Sequence, residues 1–314
     1  MTAYDATAST AAPAVAEKAP RRRPRLPETW WRHVVAVVAC AFALFPVWFV
    51  AVAAFNRDQS VSGTSYLPTH FTLHNFGGLL HGQVKDVSSQ TTVDAPYLRW
   101  LLNTLLVAGI TAVFTVLVAA LAAYAFSRFR FKGRRFGMLS LLLVQMFPQP
   151  LLFTAIYLIV LNTGSIFGFL DFNSFIALIV VYLAGAMGVN TWLMKGFFDT
   201  IPTELDESAR VDGATAAQIF WGVVLPLALP ILAVIAMLSF VSSLNEFVIA
   251  SVVLTDTHHF TLAVGMRGFI DQQWGQRWGY FAAGALLAAI PAALLFTFLQ
   301  KYIVGGLTQG AVKG

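Results

Sequence analysis

The chain has 314 residues, of which 58% are hydrophobic and 11% charged, with a formal net charge of +5. That is too little charge to cover a soluble domain of this length, so the composition marks an integral membrane protein and excludes a soluble enzyme or binding module. The basic residues stand in short clusters beside apolar runs, where orientation signals belong, and do not read as a surface for nucleic acid.

Residues 1–33 form a Pro/Ala/Thr-rich leader containing "RRRPR", too poor in large apolar side chains to fold alone, and read as a disordered basic cytoplasmic segment. A spanning helix takes roughly 20 apolar residues. Six runs reach that length, approximately Val34–Ala54, Leu101–Phe126, Gly137–Leu161, Phe175–Phe197, Val223–Leu254 and Tyr280–Val304. The first is too long for a signal-peptide core and reads as an uncleaved anchor. It holds the lone Cys40, so an intrachain disulfide or a cysteine-based metal site is not available. All but Arg57, Lys85, Arg99, Arg267 and Arg277 of the 20 lysines and arginines fall on one side of these runs. That side, with both termini, is expected to be cytoplasmic. The sequence thus predicts an all-α polytopic protein with six transmembrane helices over 34–304 and a cytoplasmic tail at 305–314. The stretch from Asn56 to Arg99 becomes an external loop, too short and polar for a buried domain, that covers the outer face.

Between the fourth and fifth runs stands a cytoplasmic segment, 198–226, rich in charge and small residues. Pro202 suits the first helical position, and Glu204, Asp206 and Glu207 follow where the helix dipole favours anions. Leu205, Ser208, Ala209 and Asp212 share one mostly small face that lets another backbone come close. Gly213 can take the left-handed conformation that ends a helix, and Thr215 with Gln218 has the spacing of a capping box opening a second. Leu225-Pro226 and Pro230 then fix the entry into the fifth span. The prediction is a helix, a glycine turn and a helix, rigid enough to transmit force.

Glu207, Ser208, Ala209, then Asp212-Gly213-Ala214, then Leu225-Pro226 closely resemble the EAA loop of bacterial ABC-importer permeases, with Ser208 where that family usually has alanine. "YLRWLLNTLLVA", "AAYAFSRFRFKGRRF", "LNEFVIASVVLTD", "FTLAVGMRGF" and the tail "KYIVGGLTQGAVKG" look like the MalG-type permeases of the maltose and maltodextrin branch; the leader and the loop near 56–95 depart from them. The resemblance implies a subunit forming half of a translocation path with a second, MalF-type permease. Two ATPase subunits would bind beneath it and an extracytoplasmic sugar-binding protein above, all at the bacterial cytoplasmic membrane and its lipid bilayer. It implies that Glu207, Ala209, Asp212 and Gly213 couple to the ATPase, Glu207 being suited to a bidentate arginine contact. It places Gln309 and Lys313, in a glycine-loosened tail, between the ATPase subunits. It puts Gln272, Gln273 and Trp274 on an outer loop that probes the sugar cleft of the binding protein. No G-x-x-x-x-G-K-[ST] phosphate loop occurs, so ATP and its magnesium are expected on the partner ATPase, with no cofactor in this chain.

Polar groups are sparse within the spans. Asn103, Gln145, Gln149, Asn190, Ser239, Ser242, Ser243, Asn245 and Glu246 either line a sugar path or hold helices together. Gln149, Asn190, Asn245 and Glu246 are the path candidates, and Glu246 is a functional suspect because it is acidic. In the family the main sugar site lies largely in the partner permease. Pro148 and Pro150 break the third run and keep an ion-coupled secondary carrier as an alternative. An intramembrane enzyme would need paired acids or a Ser/His set that the runs lack, and the adjacent His258 and His259 do not themselves make a metal site. The expected cargo is maltose or maltodextrin, with trehalose or another oligosaccharide as alternatives.

Overall fold

The structure is a computed structural model that describes residues 30–56, 70–85, 92–147, 149–271 and 277–311. One compact unit, Met1–Val47, contributes the first part of helix α1 (Trp30–Phe55), whose apolar side chains are exposed all round, as in a helix that meets lipid. The second unit, Trp48–Gly314, holds the rest. After the end of α1 it carries α2 (His74–Leu80) and an antiparallel pair, β1 (Gln83–Lys85) with β2 (Thr92–Asp94), joined by the Val84–Val93 pairing; this end of the bundle is termed outer, and the opposite one inner, after the side expected from the loop charges.

The segment read as an external loop, too short and polar for a buried domain, still contributes side chains to the core. Leu79, Val84 and Ala95 are fully buried in one cluster with Trp100, Phe269 and Tyr280. Asn75 donates from Nδ2 to the carbonyls of Ala54 (2.9 Å) and Asn56 (3.0 Å), fixing α2 to the end of α1. A few well-placed apolar residues suffice to dock a loop whose overall composition is polar.

Helix α3 (Tyr97–Arg128) has 32 residues, which at about 1.5 Å each gives ~48 Å. The hydrocarbon core is only ~30 Å thick, so α3 is longer than a perpendicular crossing needs. The third apolar run, in contrast, is not one helix. It folds as α4 (Arg134–Gln145), a 3-10 turn at Gln149–Leu152, and α5 (Phe153–Ile166). At ~18 and ~21 Å neither helix crosses alone. Pro150 lacks the N–H that a continuous helix needs and disfavours the helical conformation of Gln149 before it; Pro148 lies outside the described residues.

The next helix, α6 (Phe175–Phe198), returns to the inner end and leads into α7 (Thr203–Val211). The fifth apolar run is broken as well. Helix α8 (Ala216–Ile219) passes through a π-helical turn, Phe220–Val224, into α9 (Leu225–Leu227). This stretch meets α10 (Leu229–Asn245) at 78°. Pro226 cannot donate back to the preceding turn and Pro230 cannot extend the ladder across Ala228, so the break falls between them. After α10 the chain turns at Glu246 into α11 (Val248–Val253), then α12 (Leu262–Arg267) and finally α13 (Trp278–Ala311). The described residues therefore hold four helices long and apolar enough to cross a membrane, or five with the bent pair counted as one. The class is all-α apart from the small hairpin, while two of the six expected spans are broken. Helix α13 also runs on to Ala311, where Gly305, Gly306 and Gly310 predict a loose tail.

Helix α3 is the axis of the bundle, packed against α6 and α10. Its buried side carries Ala108, Ala112, Ala119, Ala120 and Ala123, small residues that allow close approach where apolar burial gives no drive between helices. A separate cluster at the inner end unites Ala120, Ala123 and Tyr124 of α3 with Met194 and Phe198 of α6 and Ile219, Phe220 and Val224 of the α8 region.

Candidate functional site

The inner end of the bundle carries the first element. Pro202 sits at the cap rather than inside α7, and Thr203 is the first helical residue. Gly213 adopts φ +83°, a left-handed conformation open to glycine and costly for other residues; an added Cβ would meet nothing within 4 Å. Thr215 then forms a complete capping box with Gln218: the threonine hydroxyl accepts from Gln218 N–H and the glutamine Oε1 accepts from Thr215 N–H. The segment is a rigid helix–turn–helix on the ends of α3 and α6.

Its faces divide the four expected coupling residues. Ala209 turns inward, half-buried against the inner cluster, so its smallness serves the seating of α7. Glu207 and Asp212 are exposed, and their carboxylates take no hydrogen bond or ion pair among the described residues. Leu205 is also exposed, at 42%. Exposed, unpaired acids on and just after a seated helix can receive basic groups of a partner.

Sequence reasoning missed the joint beneath this surface. Asp206, read only as an acid favoured by the helix dipole, is buried, and its Oδ2 lies 2.7 Å from Nε of Arg128, the last residue of α3, with both side chains about 95% buried. The contact is aligned too poorly for a hydrogen bond, so charge holds it. The same guanidinium donates to the carbonyls of Phe198 (3.2 Å) and Ile201 (3.0 Å) at the end of α6. Arg128 therefore ties α3, α6 and α7 at one point. The available signal was an arginine closing a long apolar helix, although nothing local identifies its acid partner 78 residues later. Nearby, Lys195 pairs with Asp199, which also accepts from Ser127 Oγ at 2.7 Å. Burial would raise the pKa of Asp199, but the hydrogen bonds from Lys195 and Ser127, with the charges of Lys195 and Arg134, hold it below the usual carboxylate range.

The second element is a cavity of about 360 Å³ between α3, α4, α6 and α10, lined by Thr111, Gln145, Tyr182, Asn190, Ser242 and Glu246 among others. Of the four path candidates, Asn190 and Glu246 line it. Asn245 does not; its amide donates to Val241 O of its own helix at 2.9 Å. Gln149 falls in the 3-10 turn, and its side chain lies outside the described ones. Glu246 also has a structural task. It accepts from the N–H groups of Ile249 (2.7 Å) and Ala250 (2.9 Å) at the start of α11 and from Tyr182 OH (2.7 Å). A carboxylate within a span is thereby met by three donors. Tyr182, which sequence reasoning passed over, is its partner and lines the same cavity.

The outer loops are pinned rather than free. Trp100 Nε1 donates to Thr257 O (2.8 Å), and Asn103 Nδ2 to His258 O and Phe260 O (3.0 Å each), so Asn103 acts as helix glue. Asn173 Oδ1 accepts from the N–H groups of Thr255 and Asp256. His259 pairs with Asp256 at 2.8 Å and His258 contacts Arg99 at 3.4 Å. Gln272, Gln273 and Trp274 lie outside the described residues, as does Lys313; Gln309 lies in the last turns of α13, its side chain outside the described ones.

Comparison with known proteins gives this geometry a family. Residues 115–309 match the family described as binding-protein-dependent transport system inner membrane component. The galactooligosaccharides transport system permease protein GanQ of Bacillus subtilis (strain 168) is 37% identical over 282 residues, 90% of this chain and 94% of that protein. The maltose/maltodextrin transport system permease protein MalG of Vibrio vulnificus (strain YJ016) is 37% identical over 286 residues, 91% and 96% of the two chains. Among solved structures, a chain of a bacterial ABC transporter involved in the import of the acidic polysaccharide alginate shares the fold, with a TM-score of 0.67 at 23% identity over 87% of this chain and 95% of that one. With the matched region covering the α7–Gly213–α8 hairpin and most of the cavity lining, this multi-pass membrane chain belongs to the binding-protein-dependent transport system inner membrane components.

Proposed function

We propose that this chain is one of two permease subunits of an oligosaccharide ABC importer, with maltose and maltodextrins as its cargo. The observation that carries the reading is the hairpin α7–Gly213–α8. It is seated on the inner ends of the spans and keeps the carboxylates of Glu207 and Asp212 outward and unengaged. In this reading both termini and the hairpin are cytoplasmic. Glu207 and Asp212 meet arginines of an ATPase subunit, and ATP with its magnesium stays on that subunit. Closure of the ATPases pushes on α7; the Arg128 joint passes the displacement into α3 and α6, whose shared cavity opens alternately to the two sides. Tyr182, Asn190, Ser242 and Glu246 offer hydroxyl, amide and carboxylate groups along that path, a chemistry suited to sugar hydroxyls. The 272–274 segment would meet the binding protein, and the end of α13, with Gln309 and Lys313, the ATPases. Relatives of the MalG kind support maltodextrin. A second reading, galactooligosaccharides, is favoured by GanQ at the same identity.

The test is ATP hydrolysis by the complex that co-purifies with this chain, with its binding protein and either maltodextrin or a galactooligosaccharide. Vanadate-sensitive hydrolysis stimulated by maltodextrin is expected. Stimulation by the galactoside alone would change the cargo and leave the mechanism. Repeated recovery of the chain without any ATPase would refute the importer reading and return an ion-coupled carrier to consideration.

A further inference from the structure

The turn between α3 and α4 gathers basic side chains at the same end of the bundle as α7. Two are engaged: Arg134 donates to Ser127 O at 3.5 Å and Lys195 pairs with Asp199. Arg130, Lys132 and Arg135 make no ion pair or hydrogen bond among the described residues. The neighbouring acids are already committed, Asp199 to Lys195 and Ser127, and Asp206 to Arg128.

These charges border an apolar surface. A cleft of about 530 Å³ has Arg134, Arg135 and Lys195 on its polar side and Met138 and Leu139 on its apolar side. A shallower one wraps the turn from Arg130 to Phe136. The apolar face continues up α4, where Phe136, Leu139 and Leu143 are 75%, 58% and 61% exposed. Arg134 and Arg135 also stand in the first turn of α4, where the helix dipole disfavours cations, with no acid among them and only Gly133 at the cap.

We propose that the α3–α4 turn and the first two turns of α4 bind the headgroup of an anionic phospholipid. The phosphate receives the guanidinium groups of Arg130 and Arg135, which pair bidentately with such oxygens, and Lys132 adds a point charge. One acyl chain lies along Met138, Leu139 and Leu143. A single ligand then spans the two adjoining clefts, which share Arg135, with its headgroup on the basic turn and its chain on the apolar side, and its negative charge offsets the cations at the start of α4. The site anchors the first half of the broken third span to one leaflet, while Gly188 and Gln145 hold its other end against α6. The proposal rests on the importer reading only for naming that leaflet as the cytoplasmic one.

The experiment uses the intact complex, transferred to nanodiscs of phosphatidylcholine with a minor fraction of phosphatidylglycerol, and counts retained phosphatidylglycerol by native mass spectrometry. Each cation near an anionic surface contributes about fivefold in affinity. The variant Arg130→Gln/Lys132→Gln/Arg135→Gln should therefore lose retention by about a hundredfold, with normal recovery of partner subunits. Arg130→Lys/Arg135→Lys keeps the charge but not the bidentate geometry, so its retention should fall between that of the parent and that of the triple variant. Three results would overturn the proposal: equal retention by the triple variant, loss of a partner subunit with it, or displacement of the lipid by excess inorganic phosphate. The first removes the site, the second makes the surface a protein interface, and the third makes it a free-phosphate site. Failure of sugar-stimulated ATP hydrolysis in the unmodified complex would count against the importer reading and leave the lipid count untouched.

Discussion

The joint at Arg128 makes a prediction that separates stability from coupling. Its ion pair with Asp206 is 2.7 Å long and almost wholly buried, and Asp206 Oδ1 has no hydrogen-bond partner. Breaking such a pair from one side typically costs ~3–5 kcal/mol, because the remaining charge is left buried. Arg128→Met strands Asp206 and also removes the bonds to Phe198 O and Ile201 O; hydrogen bonds to charged groups are worth ~1.5–3 kcal/mol each. It should therefore be the more damaging single change. Asp206→Asn keeps shape and volume and should fall near the lower limit, since the guanidinium retains both carbonyls. In the double variant Arg128→Met/Asp206→Leu no charge remains buried, so its loss should fall short of the summed losses of Arg128→Met and Asp206→Leu by ~2–4 kcal/mol. The assay is thermal unfolding of the purified complex, paired with sugar transported per ATP hydrolysed in proteoliposomes. The double variant should recover much of the stability yet stay uncoupled, because a methionine–leucine contact does not tie α6 to α7. Single variants within ~1 kcal/mol of the parent, or a double variant with normal coupling, would refute the joint.

Three further expectations follow from individual contacts. Gly213→Ala should cost roughly 1–2 kcal/mol through its left-handed backbone alone, since no atom obstructs the new Cβ; Gly213→Asn should be milder, and both are read from thermal unfolding of the complex. Gly188→Val should displace α4 from α6, because even a Cβ would stand 2.5 Å from Leu141 O; cross-linking yield between cysteines introduced on the two helices should fall, and unchanged yield would refute the close approach. Asp199, held at a depressed pKa, contributes stability above its unfolded value of ~3.9 and loses it as pH falls through the folded value. Asp199→Asn should therefore flatten the acid limb of melting temperature against pH below about 4, and an identical limb would contradict the assignment.

The sequence by itself determined the class, the charge bias between loops and the local form of the α7–Gly213–α8 hairpin. Apolar run length is a one-dimensional property, and charge bias between loops needs no folding to be read. Gly213 and the Thr215–Gln218 box act over three or four residues, so their pattern identified the turn and cap before any packing was known. Tertiary structure decided what depends on partners distant in the chain. Asp206 and Glu207 are adjacent acids in one helical turn, yet the rotation of α7 on its seat buries the first against Arg128 and leaves the second outward. Neighbouring Asn245 and Glu246 likewise diverge, one bonding its own helix and the other closing on Tyr182 and the start of α11. Hydropathy alone counts the third and fifth spans as single runs, because it sums side chains and does not register where proline interrupts the backbone ladder; Pro148 and Pro150 did mark the break in the third, whereas the 78° bend of the fifth came from the structure. The site depends on these choices: a helix face, a broken span and a buried charge are fixed only when α3, α6 and α10 pack together.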